Sequence, residues 1–129
     1  MEYQQVLPAV FVERPNRFVA ICMLEGEQVA AHVKNTGRCR ELLVPGAAVY
    51  LEKAANSARK TAYDLIAVEK GALLINMDAQ APNRVFQEWA AQGHFLSDVQ
   101  AIRPEFQYGE SRLDFALSTE KGLHLVEVK

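Results

Sequence analysis

The chain has 129 residues, half of them hydrophobic and 23% charged, enough apolar material for a core in one ordinary domain or two small ones. Its net charge of −2 and pI near 5.9 exclude a global basic field of the kind that marks many nucleic-acid binders. Residues 1–82 carry nine basic and nine acidic side chains and residues 83–129 five and seven, so any polyanion surface must be a local patch.

Met1-Glu2-Tyr3-Gln4-Gln5 has neither a basic nor an apolar leader region, and no stretch approaches the roughly 18 apolar residues of a membrane helix. Cys22 and Cys39 lack metal-ligand spacing and read as reduced thiols. The expected setting is the cytoplasm, with no membrane partner.

Strand patterns dominate the first 80 residues. Arg17–Leu24 and Gln28–Val33 are joined by a tight turn at Glu25-Gly26-Glu27. Asn35-Thr36-Gly37 reads equally as a ligand-binding turn or as the opening of a helical turn over Arg38–Leu43, stopped by Pro45-Gly46. Ala47–Glu52 is a third strand. A polar loop over Asn56–Lys60 leads to a hairpin of Thr61–Glu69 and Ala72–Met77, turning at Lys70-Gly71. Five strands and one short helical piece in about 70 residues suggest a small Greek-key barrel of the OB type. Spacing leaves an SH3-like barrel open.

Asp78–Arg84, with Pro82-Asn83, reads as the link to a second unit over residues 83–129. Asn83 is an N-cap candidate for a helix over Arg84–Gln92, ended by Gly93. Val85, Phe86, Trp89 and Ala90 form its apolar face, with Glu88 beside it. Val99–Tyr108 is a strand broken by Arg103-Pro104, which predicts an edge or a bulge. Ser111–Leu117 and Leu123–Lys129 alternate apolar and polar residues around a polar turn, a hairpin signal.

If that hairpin is symmetric about the Glu120–Lys121 bond, facing residues have numbers summing to 241, and Asp114 lies opposite Glu127. Opposed Cβ atoms are about 4.5–5.5 Å apart, and two like charges there destabilise the pair unless a cation lies between them. Lys129 shares Glu127's face. Asp, Glu and Lys on one sheet face can serve a divalent-metal phosphodiesterase, with carboxylate oxygens on Mg²⁺ or Mn²⁺ and the Lys directing a water. Spacing alone leaves a solvated hairpin equally open.

For phosphate contact the candidates are Arg14, Arg17, Lys34, Arg38, Arg40, Arg59 and Lys60, in loops or turns of the barrel, with Tyr50 or Tyr63 as a stacking face. Each taken singly is an ordinary solvated charge; residues 34–40 together make a patch. His32, His94 and His124 show no zinc spacing.

Taken in order, Arg14-Pro15-Asn16-Arg17-Phe18, His32-Val33-Lys34-Asn35-Thr36-Gly37, Ala81-Pro82-Asn83-Arg84, Gln107-Tyr108-Gly109, Ser111-Arg112-Leu113-Asp114-Phe115 and Val126-Glu127-Val128-Lys129 resemble the sugar fermentation stimulation protein A family, along the whole chain. That resemblance implies an N-terminal OB-fold over residues 1–80. After it comes the first half, one helix and three strands, of a restriction-endonuclease-like α/β domain of the PD-(D/E)xK type. It also implies DNA as partner, a link to regulation of sugar (maltose) metabolism, Asp114 and Glu127 as metal ligands, and Lys129 and Glu88 as catalytic residues. Leu113 stands where that motif often has Pro. The complete protein is expected to be a Mg²⁺-dependent nuclease, the alternative being a DNA-binding regulator without catalysis; a small-ligand OB module is a third, weaker reading. Ending at Lys129, the chain reads as a piece of a longer protein, with an incomplete second domain through which two copies could pair.

Overall fold

The computed structural model describes every residue except Ser57. The polar loop expected over 56–60 includes that residue and lies in part outside the described residues. The chain divides into two compact units, one of residues 2–79 and one of residues 80–129 together with Met1.

The first unit is a closed barrel. Its strands are β1 (Val6–Asn16), β2 (Val19–Leu24), β3 (Glu27–Val33), β4 (Ala48–Lys53) and β5 (Tyr63–Lys70), with β6 (Leu73–Asn76) added beyond β5. The sheet runs β3-β2-β1-β4-β5-β6, and a parallel pairing of β3 with β5, from Ala31↔Tyr63 to Val33↔Leu65, closes it. The topology is OB-like, so the OB reading holds over the SH3-like one.

The five barrel strands are not the five expected from the sequence. β1 was not among them, and Ala72–Met77, expected as a barrel strand, is the appended β6. Two prolines and apolar residues on both faces hide β1 from a period-2 search. Its residues 6–10 pair with β4 and residues 10–16 with β2, so β1 changes partner at Val10. Pro8 sits where only β4 flanks the strand, and Pro15 where only β2 does, the one-sided settings in which a missing N–H is tolerated. Ala9 and Phe11 point inward, onto Leu51, Leu65 and Val68.

Between β3 and β4 the expected helical turn at 38–43 is a single hydrogen-bonded turn, in which the Leu42 and Leu43 amides both donate to the Cys39 carbonyl. The turn at Val44-Pro45-Gly46-Ala47 follows, closed by Ala47 N–H to Val44 O at 2.9 Å, with Gly46 at φ +91°. That positive φ after Pro is the type II turn signature, and any side chain at Gly46 would be strained.

Cys22 is fully buried in β2, and burial pushes its thiol up to about 11. Cys39 is half-buried. Iodoacetamide at neutral pH should therefore alkylate Cys39 and leave Cys22 intact in the folded chain, because the thiolate is the nucleophile. Peptide mass mapping showing equal labelling would refute this.

The second unit comprises α1 (Ala81–Ala91) and an antiparallel sheet of β7 (Ala101–Tyr108), β8 (Ser111–Thr119) and β9 (Gly122–Val126), in that order. The helix begins earlier than its sequence signals suggest: Gln80, not Asn83, is the N-cap residue, and Pro82 lies in the first turn. Proline is tolerated there because first-turn amides have no helical partner to lose. Ala90 of α1 packs with Phe115 and Leu117 of β8. β7 is an edge strand, as Pro104 requires.

Candidate functional site: an acidic hairpin and an arginine groove

β8 and β9 pair in the register that the two-residue turn dictates, from Thr119↔Gly122 to Phe115↔Val126. Gly122, at φ +127°, closes that turn. Phe115 and Val126 pack into the core of this unit, and Val128 also packs there. Glu127, Val128 and Lys129 follow the last residue of β9 and lie beside Asp114 of β8, one position beyond the Phe115↔Val126 pair.

Asp114 accepts the Val128 amide at 2.8 Å and Asn83 Nδ2 at 3.3 Å. Its carboxyl is held below the usual carboxylate range. The Val128 amide is the main cause, acting against partial desolvation, and Asn83, Glu127 and Lys129 add to it. Glu127 and Lys129 lie close enough to act on the same carboxyl. The three residues predicted for this site thus come together, on an exposed surface.

Glu88 does not join them. Two residues before Ala90 on a helix is about 160° round from it, so Glu88 faces away from the sheet; it is exposed and forms an ion pair with the Met1 amino group. The residue of α1 that does reach Asp114 is Asn83. The sequence pattern predicts a helix cap there. Its place one turn and two turns before Gln87 and Ala90 is the available signal that it faces the sheet. Among the described residues no three His, Cys, Asp or Glu side chains converge. Two carboxylates are a fitting set for Mg²⁺, which takes one or two and keeps several waters.

The seven predicted phosphate-binding cations divide by what they already hold. Arg59 grips the buried Asp64 with two hydrogen bonds, Nη2 to Oδ1 at 2.7 Å and Nη1 to Oδ2 at 3.1 Å. Lys34 lies between Asp64 at 3.7 Å and Asp78 at 4.0 Å. These two are already paired with carboxylates on the wall of the barrel, which makes them poor candidates for a nucleic-acid surface. Arg14 is also occupied, by four backbone carbonyls. Arg17, Arg38, Arg40 and Lys60 are exposed.

Arg17, Arg38 and Arg40, with Arg14, line one groove of the barrel of about 470 Å³, between the β1–β2 turn and the segment leading to β4. Among the described residues none of these four arginines forms an ion pair with a carboxylate, although Glu13 also lines the groove. Tyr50 gives its hydroxyl to Glu69, and Tyr63 packs against the barrel core. The aromatic beside the groove is instead Phe18, half exposed, with the Arg17 guanidinium 5.2 Å from its ring centre. An exposed Phe directly after an Arg in a strand turn was the sequence signal for it.

An OB-like barrel followed by a helix and a three-stranded sheet defines a class of architecture, and comparison with known proteins agrees with it. Residues 12–77 match the SfsA N-terminal OB domain, and residues 80–129 match the sugar fermentation stimulation protein RE domain. The chain belongs to the sugar fermentation stimulation protein family. It is 46% identical over its whole length to a sugar fermentation stimulation protein homolog of Ruminiclostridium cellulolyticum, and 49% identical to one of Desulfitobacterium hafniense. It covers 57% and 56% of those proteins, so it spans little more than half the length of these relatives. The structure of Pyrococcus furiosus SfsA in complex with Ca²⁺ superimposes with a TM-score of 0.86 at 30% identity, over 98% of this chain and 55% of that one. Among the described residues no helix is long and apolar enough to cross a membrane.

Proposed function

We propose that the barrel binds DNA through the groove of Arg17, Arg38 and Arg40, and that in the complete protein the acidic hairpin serves a Mg²⁺-dependent nuclease. The observation that carries the DNA reading is the convergence of four arginines without carboxylate partners on one groove of a chain whose net charge is −2. Polyanion binding by local phosphate contacts needs that arrangement and no overall positive charge. Phe18 offers a face on which a base can stack.

In the nuclease reading Asp114 and Glu127 hold the metal ion, by carboxylate oxygens. When bound, the ion supplies positive charge for the phosphate and acidifies a coordinated water. Asn83 and the Val128 amide keep the Asp114 carboxylate ionised and fixed, ready to ligate at neutral pH. Lys129 directs the water or the phosphate oxygen. That a relative was solved with Ca²⁺ supports a cation site in the family. Mn²⁺ would fit the same oxygen donors.

Titration of this chain with Mg²⁺ or Mn²⁺, followed by NMR, should perturb Asp114, Glu127 and, more weakly, Lys129, and Asp114→Asn should abolish the response. Resonances that stay put would sink the metal reading. A nicking assay on the full-length protein with Mg²⁺, with and without Glu127→Ala, separates a nuclease from the second reading, a regulator that binds without cutting. The placement of Glu88 on the far side of α1 favours that second reading, because it leaves two carboxylates where many metal nucleases use three.

A further inference from the structure

Arg14 is half-buried in β1, just beyond the point where that strand changes partner. Its Nη1 donates to the carbonyls of Gly37 at 2.6 Å and Arg38 at 2.8 Å; its Nη2 donates to those of Asn35 and Arg17, both at 2.7 Å. Three of the four acceptors lie in the irregular segment between β3 and β4, and the fourth is in the β1–β2 turn. These are the segments that carry Arg38, Arg40 and Arg17.

The remaining donor, Nε, is buried and has no partner among the described residues. A guanidinium can span four carbonyls because its donors lie in a rigid planar fork; an ammonium, with three donors on one atom, cannot reach the same set. The segment it grips has two further local features. Asn35 Oδ1 accepts the Gly37 amide at 2.9 Å, and Cys39 adopts φ +50°, a left-handed conformation unusual for a side-chain-bearing residue. Four carbonyls take up the Nη donors of Arg14 and leave its charge un-neutralised beside the groove.

We infer that Arg14 is a positioning residue for phosphodiester recognition: it ties the β1–β2 turn to residues 35–38 so that Arg17, Arg38 and Arg40 form one pre-organised groove, and it does not itself touch phosphate. This rests on the reading of that groove as the DNA site. Pre-organisation raises affinity by removing the ordering cost of binding, not by adding a contact. A contact residue and a positioning residue therefore leave different marks. Loss of a phosphate contact flattens the dependence of log K on log salt by about 0.9 on duplex DNA, whereas loss of pre-organisation lowers affinity at an unchanged slope.

The test uses the whole chain, a fluorescein-labelled DNA duplex and two variants, R14Q and R14K, each checked for folding by circular dichroism. Amides of residues 35–40 should exchange faster in both variants without DNA. Affinity should fall on the order of tenfold with the slope retained, and R14K should not rescue R14Q, since charge alone cannot bridge the carbonyls. A slope lowered by about 0.9 in R14Q, as for a lost phosphate contact, together with rescue by R14K, would make Arg14 a contact residue and overturn the inference. Unchanged exchange over 35–40 would overturn it as well. If the unaltered chain binds no DNA while the R14K loop exchanges faster, the DNA reading fails and the recognition role fails with it, the clamp alone remaining. Should either variant unfold, Gly37→Ala perturbs the same segment from its other side, because an added Cβ would meet Asn35 Oδ1 at 3.0 Å. Its expected mark is the same: lower affinity at constant slope. A Gly37→Ala chain that binds DNA as tightly as the unaltered one would count against the inference.

Discussion

Replacing Asp64 with alanine is expected to destabilise the barrel by about 2–3 kcal/mol at neutral pH. Asp64 is only 4% exposed and lies on β5 at the seam where the barrel closes, opposite His32 of β3. Burial by itself would raise its carboxyl, and this is the largest single influence; the two Arg59 hydrogen bonds, Lys34 and His32 together outweigh it and hold the group below the usual carboxylate range. Removing one partner of a fully buried ion pair costs about 3–5 kcal/mol. The smaller figure applies here because Arg59 and Lys34 keep 31% and 16% of their side chains exposed and can recover some hydration.

The pH dependence follows from the direction of the shift. A group with a lowered folded pKa contributes stability above its unfolded value, near 3.9, and loses it as pH falls through the folded value. The difference between the unaltered chain and Asp64→Ala should therefore be full at pH 6–7 and shrink below about pH 4. Urea titrations followed through NMR cross-peaks of β3 and β5 read this directly; the single tryptophan, Trp89, lies in the other unit and would not report it. Equal urea midpoints at neutral pH would show that the Asp64 cluster is not what secures the seam.

Replacing both Arg38 and Arg40 with alanine should lower DNA affinity by roughly 10- to 100-fold at about 0.1 M salt and flatten the salt dependence by about 1.8, if each contributes one phosphate contact. The same double change should leave the barrel's stability nearly untouched, since both side chains are exposed and neither forms an ion pair among the described residues. Replacing Arg59 instead should do the reverse, destabilising the barrel through Asp64 and leaving the salt slope as it was. An unaltered slope in the Arg38, Arg40 variant would place the polyanion surface elsewhere, with exposed Lys60 the next residue to test.

Some of this was legible in the amino-acid sequence because it depends on short-range geometry. The side-chain period of two and a two-residue turn set the register of β8 against β9, and with it the nearness of Glu127 to Asp114. The same alternation marks β2, whose residues from Val19 to Leu24 are inward at every second position. The blocks that resemble the sugar fermentation stimulation family led to the right family, and to an OB-type barrel although one of its strands went unseen. β1 was missed because it serves two partners in turn and carries prolines where one flank is free, facts of pairing and not of composition.

Which of the charges already have partners was decided by tertiary structure alone. Arg14, Lys34, Arg38 and Arg59 look alike in sequence, each a cation in a turn or loop. The parallel β3–β5 closure brings Asp64 to Lys34, thirty positions away, and Arg59 folds onto the same carboxylate, so two cations are already paired at the barrel seam. Four carbonyls capture a third, Arg14, leaving Arg17, Arg38 and Arg40 free to meet a ligand. In the second unit the helix wheel turns Glu88 away and Asn83 toward Asp114. Local pattern decides which face a side chain takes; whether its charge is already paired depends on partners that only the closed fold brings within a few ångströms, where electrostatic and hydrogen-bond energies become large enough to matter.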